Sequence, residues 1–120
     1  HNIVAFDLPA LRDSMDIFCV RKYLDDKDER CIDTSRLMTK ASGRRIHLDN
    51  LAKCNLDAAK SADGLTAVKW WAEGKYEDVV KYCLLDSKLT LDIWKMGVEK
   101  KELQVFNEDE GEYEIVKLEW

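Results

Sequence analysis

From Tyr76 to Lys100 the chain runs without a proline, and its one glycine there, Gly97, stands near the end. An interior proline costs a helix about 3 kcal/mol and a glycine about 1 kcal/mol. This stretch therefore predicts one long helix, and whatever fold forms has to be built around it. Val80, Leu84, Leu91, Trp94 and Val98 recur at core-like spacing along it. They are its expected buried stripe, with Tyr82 and Asp86 on a different one.

The rest of the sequence breaks into shorter pieces. Pro9 is the single proline among 120 residues, and glycines number five, so helix should dominate throughout. Asp7 is the expected cap of a helix that starts at Leu8, carries Pro9 in its first turn and runs to about Tyr23. The polar DDKDER (25–30) predicts a surface loop. CIDT (31–34) predicts a short buried strand or lead-in, with Asp33 or Thr34 capping a helix around Leu37. SGRR (42–45) is a loop by composition. His47 to about Cys54 gives a helical turn or two, and KSADG (60–64) a turn. Thr66 should open a helix that stops at Gly74. Trp70 and Trp71 cannot both face inward from it, so one is expected in the core and the other partly exposed or packed against the tail. Leu103–Phe106 and Tyr113–Leu118 flank the polar NEDEGE and predict a β-hairpin. The fold class is α/β, mostly helical, with a C-terminal hairpin. At this length one domain is expected, spanning residues 1–120.

Composition removes several function classes. With 46% hydrophobic and 36% charged residues the chain is not a disordered one. No apolar run approaches the roughly 20 residues that cross a bilayer, and the default location is the cytoplasm, with no membrane partner. Cys19, Cys31, Cys54 and Cys83 form no C-x-x-C pair and no zinc cluster with His1 or His47, and are expected as buried free thiols. The net charge of −5 is carried by residues 99–120, with eight acids against three lysines, so residues 1–98 sum to zero. Between Arg36 and Lys60, six basic residues meet only Asp49 and Asp57, a local excess suited to phosphates. Binding there should weaken steeply with salt.

Tyr82 and Asp86 are four apart, which puts them on one helix face, one turn from each other. A carboxylate beside a phenol there is either a hydrogen-bonded pair or a metal ligand with a tyrosine that positions water. Their company extends the second reading. HNIVAFD (1–7), CIDT, GRRIHLDNLAKCNL (43–56), KSADGLTAVKWW (60–71) and EGKYEDVVKYCLLDSKLT (73–90) follow one another in order. This order resembles the DEDD superfamily of 3′–5′ exonucleases, in the branch with tyrosine in its third motif (DEDDy), and in particular the bacterial ribonuclease H-like domain proteins.

The resemblance covers the whole chain and implies a partial ribonuclease H-like fold. HNIVAFD matches the second motif. The first, a D-x-E on the first strand, has no counterpart, because no aspartate in 1–120 is followed two places later by glutamate. The chain is thus expected to be the C-terminal portion of an exonuclease domain, inactive alone. The implied chemistry is two-metal phosphodiester hydrolysis with Mg²⁺ or Mn²⁺. Asp7 and Asp86 would be metal ligands, and Tyr82 would orient the attacking water. Asn2 and Phe6 would line the channel for the 3′-terminal nucleotide, and Lys60 would touch phosphate. The implied partner is the 3′ end of single-stranded DNA or RNA. A second copy or a complementing chain is the further partner, since it could supply the missing acids. The alternative is a non-catalytic ribonuclease H-like module that binds nucleic acid or a protein. His1, His47 and Asp33 are expected to be structural.

Overall fold

The structure is a computed structural model, and it describes residues 1, 5, 7–14, 31–58 and 64–120. Among these lie five helices and one two-stranded antiparallel sheet, a mixed α/β arrangement. The helices are α1 (Asp7–Ser14), α2 (Thr34–Ser42), α3 (Leu48–Leu56), α4 (Gly64–Ala72) and α5 (Tyr76–Lys100). The strands are β1 (Glu102–Asn107) and β2 (Glu112–Lys117).

The elements follow local chemistry. Asp7 is the first residue of α1, one place inside the expected cap position, where an acid suits the helix N-terminus. The continuation of that helix toward Tyr23 lies outside the described residues, as does the 25–30 loop. CIDT is not a strand. Asp33 is buried as the N-cap of α2, and its Oδ1 accepts the Ser35 N–H at 2.9 Å. Gly43 ends α2 in the left-handed region, φ +76°, as the loop composition requires. His1 ties α2 to the segment before α3. Its Nε2–H donates to the Ile46 carbonyl at 3.0 Å, and its Nδ1 lies 2.9 Å from Thr34 Oγ1.

The core lies between the inner face of the hairpin and helices α2, α3 and α5. Met38, Leu51, Ile93, Leu103 and Val105 are its largest fully buried apolar side chains. Burying each of these contributes about 1.5–3 kcal/mol. Leu103 stands opposite Val116 and Val105 opposite Glu114, while Phe106, Tyr113 and Ile115 face outward.

Two asparagines of α3 close the outer edge of β1. Asn50 Nδ2 donates to the Phe106 carbonyl at 2.8 Å, and its Oδ1 accepts the Phe106 N–H at 2.9 Å. Asn55 repeats the pattern on Gln104, at 2.7 and 2.9 Å. The carboxamides thus act as a substitute strand, so the edge offers no ladder to another chain.

α5 ends where Lys101 turns left-handed, φ +59°, with its N–H on the Gly97 carbonyl at 3.0 Å. The hairpin returns to this point. Leu118 N–H donates to the Lys101 carbonyl at 2.8 Å, and the Lys101 ammonium donates to the Trp120 carbonyl. The Trp120 ring then packs close against Gly97. A Cβ at Gly97 would stand 2.5 and 2.6 Å from two of its ring carbons.

The expected stripe of α5 is corrected. Val80, Leu84, Leu91 and Val98 are exposed, and Trp94 is half-buried. The buried residues are Leu89, Ile93 and Gly97. At about 100° per residue, these three and Tyr82 and Asp86 all fall within about 80° of the circumference. Tyr82 and Asp86 therefore continue the inward stripe. The sequence holds apolar residues on two opposite faces of α5, and only contact with the hairpin and α3 selects between them.

Candidate active-site face on helix α5

Helix α5 presents Tyr82 and Asp86 one turn apart, ahead of the Leu89–Ile93–Gly97 run. Both are half-buried, and Asp86 Oδ1 is shut off from solvent. The α4–α5 connection brings α4 alongside. Gly74 turns left-handed, φ +75°, and Lys75 N–H donates to the Trp70 carbonyl at 2.8 Å. Lys75 also pairs with Glu73 at 2.7 Å, and this hydrogen-bonded ion pair raises the Lys75 pKa. The turn sets Trp70 edge-on over Tyr82, with ring centroids 6.5 Å apart and planes at 74°. Trp71 projects the other way, 63% exposed, with its ring 4.8 Å from that of Tyr76. Neither tryptophan enters the core, a correction to the expectation that one would.

A phenol under an indole edge is held in orientation, and its neighbouring carboxylate has one oxygen away from water. Such a pair can fix a water molecule or present one carboxylate to a cation. The role of Trp70 was not legible in the sequence. Its spacing to Tyr82 across the Gly74 turn is the one signal that could have marked it.

Asp7 is exposed on α1. Asn2, Phe6 and Lys60 lie outside the described residues. Among the described residues no three of His, Cys, Asp and Glu gather as a metal-ligand group. Asp7 and Asp86 supply two carboxylates, short of the oxygen set Mg²⁺ demands. The described residues therefore do not by themselves fit a two-ion site.

The free thiols among the described residues are Cys31, Cys54 and Cys83. Only partial burial is found, and Cys83 is exposed, which corrects the expected burial. Burial pushes the Cys54 thiol pKa up. Lys53, fully exposed, has its pKa raised by a hydrogen bond to Asp49 at 2.6 Å. No described helix is long and apolar enough to cross a membrane.

Compared with known protein families, curated proteins and solved structures, the chain matches none.

Proposed function

We propose that this chain is the C-terminal portion, from the second motif on, of a metal-dependent 3′–5′ exonuclease with a ribonuclease H-like fold. One observation supports this most. Tyr82 and Asp86 lie on the inward stripe of α5, with Tyr82 oriented by Trp70 and one Asp86 oxygen out of solvent. A purely solvated helix face would place a carboxylate outward instead.

In this reading Asp86 would hold one divalent ion and Asp7 a second. The remaining carboxylates would have to come from outside the described residues or from another chain. When bound, two such ions lower the pKa of a water and offset charge on the leaving oxygen. Tyr82 would orient the attacking water by hydrogen bonding rather than act as a base. By the resemblance, Asn2 and Phe6 would line the channel for the terminal nucleotide, and Lys60 would touch phosphate. A non-catalytic module that binds nucleic acid or a protein partner would share the same scaffold.

The test is a nuclease assay on a 5′-labelled single strand with Mn²⁺. It compares residues 1–120 with a polypeptide extended upstream by a D-x-E strand, each also as Asp86→Asn. The expected result is trimming from the 3′ end by the extended protein only, abolished by Asp86→Asn. A folded but inert extended protein would overturn the reading in favour of the binding module.

A further inference from the structure

The basic excess noted in the sequence resolves into a specific place on the fold. A groove of about 490 Å³ runs along α2, lined by Ser35, Arg36, Thr39, Lys40 and Arg45. Arg36 and Lys40 are one turn apart, with Cβ atoms roughly 5–6 Å from each other. Among the described residues neither these two nor Arg45 enters an ion pair. Arg44 beside them is tied to Glu114, and Lys53 to Asp49. The groove thus gathers three cations that make no ion pair among the described residues.

Lys40 also borders a second cavity, of about 310 Å³, which Leu37, Ala41, Leu118 and Trp120 line together with the charged Lys117 and Glu119. Trp120 is held there against Gly97, and its carbonyl is fixed by Lys101. Its indole is therefore a pre-set aromatic wall beside a cationic track.

A row of cations that leads to a cavity with an aromatic wall fits a ligand with two features, a repeating anion and a flat apolar group. We infer that α2 and the end of the hairpin form a single-strand nucleic-acid subsite. Phosphates lie along Arg36, Lys40 and Arg45, and one base enters the cavity against Trp120. Glu119, an acid lining the cavity, keeps phosphates to the α2 side. An acidic peptide would satisfy the cations but not the aromatic wall. A lipid surface is a poor match, because the exposed large hydrophobics lie on α1, α4, α5, the hairpin's outer face and Ile32, not in the groove. The subsite shares only its ligand class with the exonuclease reading and lies on other elements than Tyr82 and Asp86.

Binding of a fluorescein-labelled oligothymidylate to residues 1–120, in EDTA, tests it without metal or turnover. Each phosphate contact contributes about −0.7 to the slope of log K against log salt. Arg36→Gln/Lys40→Gln/Arg45→Gln, all at exposed positions, should flatten that slope by about 2 and weaken binding roughly tenfold at low salt. Replacing the bases by abasic sites should cost about tenfold, the scale of one lost stacking contact. Quenching of tryptophan emission by the oligomer should be largely lost in Trp120→Phe. Unchanged affinity in the triple variant, equal binding of the abasic strand, or equally tight binding of a polyglutamate at the same salt would each overturn the subsite. Loss of nuclease activity elsewhere would leave it standing, since no step here needs catalysis.

Discussion

The two halves of α5 live in different surroundings. Its C-terminal half places Leu89, Ile93 and Gly97 against α3 and the hairpin, with α2 beyond, and every apolar residue on that stripe finds cover. Its N-terminal half pairs with α4, yet α4 buries no residue, and Leu65, Val68, Trp71, Tyr76, Val80 and Leu84 all stay exposed. Stability resides in the first region. The candidate site, Tyr82 and Asp86, stands where the buried stripe runs out toward the second. A helix anchored at one end can hold a carboxylate in place while leaving its other end open to a ligand or to further polypeptide.

The largest expected contrast is between equivalent truncations in the two halves. Ile93→Ala should cost about 3 kcal/mol of unfolding free energy, a buried methylene loss with its cavity. Leu84→Ala should stay within about 0.5 kcal/mol. Denaturant midpoints at equal m-value measure both, and similar costs would break the comparison. Asn50→Ala leaves the Phe106 N–H and carbonyl without their partners and should cost about 2 kcal/mol by the same assay, with hydrogen exchange at Phe106 accelerating. Gly97→Ala gains about 1 kcal/mol of helix propensity, and the clash with the Trp120 ring exceeds that gain. A net loss of about 1 kcal/mol is expected, with changed near-ultraviolet dichroism as Trp120 moves.

The elements that came through from sequence were those decided locally. The proline-free run gave α5, the polar NEDEGE gave the hairpin turn, and Asp33 gave the cap of α2. Asn107 Oδ1 accepts the Asp109 N–H at 3.1 Å and Gly111 is left-handed, φ +69°, so the turn is set by its own residues. What failed was decided at a distance. Apolar side chains on both faces of α5 made its inward stripe ambiguous, and the wrong face was chosen for Leu84 and Leu91. The asparagine clamp joins residues 49 and 56 positions apart, and no local pattern announces it. At the site, the Tyr82–Asp86 spacing was legible, but its burial and its indole cover depended on α4.

The smallest effect is chemical. Burial disfavours the Cys54 thiolate, so at pH 8 its alkylation in the native protein should be slower than that of exposed Cys83. Raising the pH should speed Cys54 toward the rate it shows in denaturant, as more thiolate forms. Peptide mass mapping reads both sites, and faster Cys54 labelling would contradict the packing of α3 against β1.

The measurement that bears most directly on the central claim is Mn²⁺-induced broadening in the amide spectrum of residues 1–120. Paramagnetic broadening registers even the weak binding that two carboxylates allow. Asp86 and Tyr82, one turn apart on α5, are expected to broaden together, and Asp86→Asn to remove the broadening at both. Broadening confined to the acidic turn Glu108–Glu112, with Asp86 untouched, would contradict it.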